Sequence, residues 1–144
     1  MPDGPWIELD AQKINPDACL VLHHSELDIY FMIMAHRHPN DPDFTSAELA
    51  KLVQDGMREH NPYAKFSIEE SEKYSQLDGV AFTLNSPVKG HLTHYAIWDA
   101  VRNGFTYELT MYGSKQHASE VDDMLKAMCS RLRQLDPDLV ANSK

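Results

Sequence analysis

Two alternating runs of side chains, separated by a tight-turn signal, constrain the fold of this chain most strongly. Residues 94–100 and 105–112 alternate with a period of two, which is the period of a β-strand. Between them, Arg102-Asn103-Gly104 supplies the positive φ values that a type I′ turn requires. The two runs therefore predict an antiparallel hairpin.

Three further extended runs precede this hairpin near the amino end: Trp6–Leu9, Cys19–Leu22 and Leu27–Ala35. In the longest of them, one face is apolar throughout, and the opposite face becomes apolar toward its carboxyl end. A strand that is apolar on both faces is typical of the centre of a sheet covered on both sides. The short link His23–Glu26 predicts a hairpin between the second and third runs.

The middle of the chain predicts more extended structure. Lys65–Leu77 is an extended, polar stretch, and Asp78-Gly79 has the composition of a hairpin turn. Residues 80–84 then alternate as a strand, and Asn85–Gly90 is predicted to be a loop.

Two amphipathic helices are predicted. The first starts at a capping box formed by Thr45 and Glu48 and ends at Asn61-Pro62, because the residue before proline avoids the α region. The second has Ser119 as its N-cap, followed by acids in its first turn. Each has one apolar stripe: Leu49, Leu52, Val53 and Met57 in the first, and Val121, Met124, Leu125, Met128, Leu132 and Leu135 in the second.

The predicted fold class is therefore α+β: a single antiparallel sheet of about 6–7 strands flanked by two amphipathic helices. One domain is expected over residues 1–135, with a frayed tail over residues 136–144.

The unit Ile97–Thr110, followed by a helix, resembles the Mog1/PsbP-like fold group, which includes the bacterial DcrB-like domains. The order of elements along most of the chain is similar as well. The resemblance implies non-enzymatic scaffolding or binding, and it carries over no set of functional residues.

Charge and composition exclude several classes of protein. The 144 residues include 22 acids and 13 bases, a net charge of -9, which disfavours nucleic-acid binding. No apolar stretch is long enough to span a membrane, and Met1–Asp10 has no signal-peptide pattern, so a cytoplasmic location is expected, with export of a longer precursor as the alternative. Cys19 and Cys129 are expected to be buried thiols, and their pairing is left open.

Histidines at strand ends are the candidate metal ligands. His36 and His38 are two residues apart, so both imidazoles could leave one face of a strand and bind zinc. A third ligand would have to come from His23-His24, His91 or His94, and the alternative is that all are solvated. Glu69, Glu70, Glu72 and Asp78 are expected to form a solvated sheet edge. No nucleophile elbow, phosphate loop or dinucleotide motif occurs, so no cofactor is predicted.

The favoured function is a non-catalytic binding or adaptor module that recognises a protein partner or a second copy of itself. Its candidate binding residues are Tyr30, Met32, Met34, Trp98 and Tyr112, which form the core or else a partly covered, adaptable sheet face. The excess negative charge would steer basic or neutral partners toward such a face. A secretion-associated chaperone is one case of this function. The alternative is a small metal-dependent or hydrolytic enzyme that uses the strand-end histidines.

Overall fold

A computed structural model describes residues 5–37, 43–74, 77–102 and 105–131. It confirms the α+β class and the single antiparallel sheet. The described residues form eight strands: β1 (Trp6–Leu9), β2 (Ala18–His24), β3 (Ile29–Arg37), β4 (Lys65–Phe66), β5 (Glu70–Tyr74), β6 (Leu77–Val88), β7 (His91–Arg102) and β8 (Phe105–Ser114). The helices are α1 (Ala11–Ile14), α2 (Ser46–His60) and α3 (Ala118–Arg131), with a 3₁₀ turn at Lys115–His117.

The order of strands places β3, from the first part of the chain, next to β8, the last of the described strands. It runs β1-β2-β3-β8-β7-β6-β4, with β5 also paired to β6. Hence the amino-terminal strands join the later meander through the β3–β8 pair, in which Tyr30 lies opposite Tyr112. The described residues contain more strands than predicted because the polar stretch before β6 supplies two short ones.

Two predicted turns in the middle of the chain are wrong. Asp78 and Gly79 lie inside β6, where they pair with Lys73 and Glu72. Most of the predicted loop Asn85–Gly90 is also strand, because the turn is confined to Lys89 and Gly90, both with positive φ. Pro87 suggested a loop, but it lies in β6 beyond the residues that pair with β4. At this position β6 is an edge of the sheet, so the backbone N–H that proline lacks is not needed for pairing.

The predicted hairpin at the carboxyl end is confirmed, since β7 and β8 pair from Thr93↔Ser114 to Arg102↔Phe105. Its turn residues 103 and 104 lie outside the described residues, as does most of the loop predicted at 38–43. The strand predicted at Leu27–Ala35 begins two residues later, because Asp28 adopts a positive φ in the turn.

Helix α2 begins where the capping box predicts. The Thr45 hydroxyl accepts from the Glu48 backbone N–H, and the Thr45 backbone N–H donates to the Glu48 carboxylate. The predicted apolar stripe is partly wrong, since Leu52 is 60% exposed, whereas Ala50 and Gln54 are buried. Ala50 has a small side chain and is fully buried, which lets α2 lie close against the sheet at this position.

Replacing Thr45 by Ala should lower the free energy of unfolding by about 1 kcal/mol, because the Glu48 backbone N–H at the helix start loses its acceptor. Urea denaturation of the full chain measures this change. Thr45→Ser is the matched control, since its hydroxyl can still cap the helix. Equal stability of Thr45→Ala and the parent chain would show that the capping box contributes nothing.

Helix α3 begins one residue before the predicted cap. The chain enters it through the 3₁₀ turn, so Ser119 lies in the first helical turn instead of at the N-cap. Val121, Leu125 and Cys129 are its buried side chains, whereas the predicted stripe members Leu132 and Leu135 lie outside the described residues, as does the predicted tail 136–144.

The two long helices cover opposite faces of the sheet. On what we call the α3 face, α3 packs on a core that includes Phe31, Trp98 and Leu109. On the α2 face, Ala50 of α2 packs on Phe82 and Ile97. Strand β7 contributes alternate residues to both clusters, which explains why its two faces are apolar.

The two cysteines differ in environment. Cys129 is fully buried as predicted, but the burial predicted for Cys19 is wrong. The register of β2 shifts between Ala18 and Leu20, and the resulting irregularity leaves Cys19 exposed, with its thiol 3.3 Å from the Ile33 carbonyl oxygen. Both are free thiols.

Candidate functional site: a ladder of rings on the sheet

Part of the α2 face carries large side chains that are only half buried. Helix α2 packs on β6 and β7, at one side of the sheet. On the neighbouring strands β3 and β8, the half-buried residues of this face are Tyr30, Met32, Met34 and Tyr112. Four of the five predicted binding residues therefore lie together on one face.

Trp98, the fifth predicted residue, does not join them. Its side chain points to the α3 face, is fully buried, and donates its indole N–H to the Glu72 carbonyl oxygen at 3.0 Å. Trp98 belongs to the core because side chains alternate along β7, so Trp98 points to the face opposite that of Tyr95 and Ile97.

Stacked rings cross four strands on the α2 face. The rings of His23 and Tyr30 stack with centroids 4.4 Å apart, Tyr30 and Tyr112 at 5.2 Å, and Tyr112 and Tyr95 at 5.2 Å. Each pair lies directly opposite across a strand boundary. We call these four residues the ring ladder. Cross-strand aromatic pairs of this kind stabilise a sheet.

Two phenol groups of the ring ladder, those of Tyr112 and Tyr95, stay protonated at neutral pH because burial raises their pKa values. Burial, and then the neighbouring Tyr95 and Tyr30, raises the pKa of Tyr112 to about 12. Burial also raises the pKa of Tyr95. These two residues therefore present neutral π faces and hydroxyl groups.

At one end of the ladder, His23 forms a hydrogen-bonded pair with Asp28. The His23 Nε2 atom lies 2.7 Å from the Asp28 carboxylate, whose side chain is 81% exposed. Glu26, in the same turn, is exposed as well. Negative charge therefore flanks the open end of the ladder.

A pair of acids lies on the same face of the sheet, on β7 and β8. Asp99 and Glu108 are directly opposite, and Asp99 is fully buried, with no hydrogen-bond partner for either carboxylate oxygen among the residues that the structure describes. The Thr110 hydroxyl donates to Glu108 at 3.2 Å. Burial, and then the charge of Glu108, raises the pKa of Asp99 to about 10. Burial raises the pKa of Glu108 too, so the pair retains a proton at neutral pH.

Sequence reasoning missed both the ladder and the acid pair. The stacking of Tyr95 and His23 with their neighbours was not predicted, because it depends on which strands pair. The acid pair has a signal in retrospect: Asp99 is the single acid in the apolar run 96–101.

The predicted metal ligands are not brought together within the described part of the chain. His36 is exposed at the end of β3, and His38 lies outside the described residues. No group of three or more His, Cys, Asp or Glu residues suited to a metal ion occurs among residues 5–37, 43–74, 77–102 and 105–131. His94 instead links the sheet to α3, with its ring nitrogens 2.8 Å from Asn85 and Asp122.

Sequence comparisons assign no family: no protein-family profile and no curated protein sequence matches this chain. Solved structures do match. The solution structure of cyanobacterial PsbP (CyanoP) from Synechocystis sp. PCC 6803 superposes with a TM-score of 0.62, covering 90% of this chain and 81% of that one, at 14% identity. The fold is Mog1/PsbP-like. The resemblance predicted from the sequence is thus confirmed at the level of the fold.

Two other structures share this Mog1/PsbP-like fold. LpqN, involved in cell envelope biogenesis of Mycobacterium tuberculosis, matches with a TM-score of 0.64 over 91% of this chain and 78% of its own, at 14% identity. PA94 of Pseudomonas aeruginosa, a protein of unknown function and putative regulator, matches with a TM-score of 0.60 over 95% and 85%, at 13% identity. None of the described helices is long and apolar enough to cross a membrane.

Proposed function

We propose that this protein is a non-catalytic binding module whose ring ladder holds a basic segment of a protein partner. The observation that carries the proposal is the continuous stack of His23, Tyr30, Tyr112 and Tyr95 on a sheet face that α2 covers only in part. The Mog1/PsbP-like neighbours are consistent with a non-catalytic module.

The side chains beside the ladder favour adaptable contact. Met32 and Met34 are half buried, and they extend the apolar surface from Tyr30 along β3. Unbranched methionine side chains repack readily around different partners. Tyrosine adds large contact area and a hydroxyl at a small cost in side-chain entropy.

Charge favours a partner rich in arginine. The chain has a net charge of -9, and Asp28 and Glu26 place exposed carboxylates next to the ladder. A guanidinium group stacks on an aromatic ring and pairs with a carboxylate at the same time. A segment that alternates arginine with small residues would therefore fit both features.

A synthetic ten-residue peptide that alternates Arg and Gly tests the proposal, with binding to the full chain followed by calorimetry. We expect saturable binding that weakens as salt increases, and at least a tenfold loss of affinity in Tyr30→Ala and in Tyr112→Leu, because the stack is broken. Tyr112→Phe should bind as the parent does, since it keeps the ring.

Tyr63→Ala is the matched control, because Tyr63 is 80% exposed and lies outside the sheet. Its affinity should equal that of the parent chain. Circular dichroism verifies that each variant is folded. The proposal fails if the peptide does not bind, or if folded Tyr112→Leu and Tyr30→Ala bind it as tightly as Tyr63→Ala does. Self-association that persists without the peptide and depends on Tyr112 would identify a second copy of the chain as the occupant instead.

A further inference from the structure

A cleft opens on the α3 face, on the other side of the sheet from the ring ladder. Helix α3 packs on β7 and β8, and the gap between it and β5–β6 is about 350 Å³ in volume. The floor contains the small residues Ala81 and Ala96, and the walls include Tyr74, Leu125 and Cys129. This volume and this apolar lining fall in the range of small-molecule sites.

Acids dominate the rim of the cleft. Glu70 and Glu72 extend from β5, and Asp122 from α3, whereas Lys126 is the single basic residue that lines this cleft among the described residues. Asp122 is already hydrogen bonded to His94. Within the described part of the chain, the Glu72 carboxylate has no ion-pair partner.

The negative charge of Glu72 contributes to the raised pKa values of two residues in the walls of the cleft. Burial, and then the negative charge of Glu72, raises the pKa of the Cys129 thiol to about 12. Burial, then Cys129 and then Glu72, raises the pKa of Tyr74. The half-buried Glu72 carboxylate therefore places negative charge near two apolar walls of the cleft, which favours a cation there.

Tyr74 and Trp98 line the cleft together with Glu72. Tyr74 meets Trp98 edge to face, with ring centroids 5.4 Å apart, and the Trp98 indole is anchored on the Glu72 backbone. Aromatic faces next to a carboxylate are the chemistry that recognises ammonium groups, and the apolar walls require an apolar body on the ligand.

We propose that this cleft binds a small organic cation: a substituted ammonium group carried on an apolar or aromatic body. The ammonium group lies beside Glu72 and Tyr74, and the body lies on Ala81, Ala96 and Leu125. Glu70 adds long-range attraction at the entrance. Anionic ligands are repelled by the same rim.

Benzyltrimethylammonium is the probe, and the fluorescence of Trp98 is the signal, read in a Trp6→Phe background so that only one indole emits. We expect a saturable change in emission with added probe. Glu72→Gln should weaken binding at least tenfold, because the balancing charge is lost. Neutral benzyl alcohol should bind at least tenfold more weakly than the cation.

Two controls separate the cleft from other surfaces. Glu59→Gln removes the same charge from an exposed position on α2 and should leave the affinity unchanged. Ala81→Leu fills the floor and should abolish the response while circular dichroism stays that of the parent. The proposal is overturned if the probe gives no saturable change, or if Glu72→Gln and Glu59→Gln bind it equally. Tyr30→Ala, on the other face, should bind the probe normally, so this test is independent of the ring ladder.

Discussion

Gly79→Ala is expected to lower the free energy of unfolding by about 3 kcal/mol or more, an effect at the upper end of overpacking substitutions. A Cβ atom at residue 79 would overlap the indole ring of Trp98. That ring is fully buried in the α3-face core and tied to the Glu72 carbonyl oxygen, so it cannot move aside cheaply. Thermal and urea denaturation of the full chain measure the loss.

Gly56→Ala is the matched control for this substitution. Gly56 lies inside α2, and a Cβ there meets no atom within 4 Å among the described residues. The same change should therefore raise the free energy of unfolding by about 0.5–1 kcal/mol, because alanine favours the helix. If Gly79→Ala proved as stable as Gly56→Ala, the close packing of β6 on Trp98 would be wrong.

Asp99→Asn is expected to raise the free energy of unfolding at pH 7 by about 2 kcal/mol, because the substitution removes a buried carboxyl group that is costly to ionise. The pKa of Asp99 is raised to about 10 in the folded chain, from an ordinary value of 3.8. The unfolded chain therefore loses this proton near pH 4, whereas the folded chain keeps it. The parent should accordingly lose stability as pH rises from about 4 to about 10.

The pH profile is the decisive measurement for this acid pair. Urea denaturation at several values between pH 5 and pH 9 should give a steeper decline for the parent chain than for Asp99→Asn. Asp17→Asn, at an exposed carboxylate, is the control and should follow the parent. A decline as steep in Asp99→Asn as in Asp17→Asn would show that Asp99 does not carry the linkage.

Local patterns in the sequence predicted much of the fold. Alternation placed the strands around Ile97 and Leu109, and the capping box placed the start of α2 at Thr45. Turn chemistry was less decisive, because Asp78-Gly79 has a hairpin composition although Gly79 is needed for contact with Trp98. The composition of a dipeptide indicates which backbone conformations are allowed there, and tertiary packing decides which of them forms.

The candidate sites depended on information that local patterns do not contain. Composition pointed to Tyr30, Met32, Met34 and Tyr112, but their meeting on one face follows from the pairing of β3 with β8. The cleft beside Glu72 likewise requires the position of α3 relative to β5. The charged stretch before β6, predicted as a solvated edge, therefore also contributes one wall of an apolar cleft.

The β3–β8 pairing also fixes an order of assembly. Strand β3 is made early, and its partner β8 is the last of the described strands to leave the ribosome, so the β3 edge of the amino-terminal strands stays unpaired until then. Closing this distant contact costs loop entropy, which slows folding, and an open edge invites pairing with another chain. The rate of β8 synthesis and release should thus govern how much newly made protein escapes aggregation.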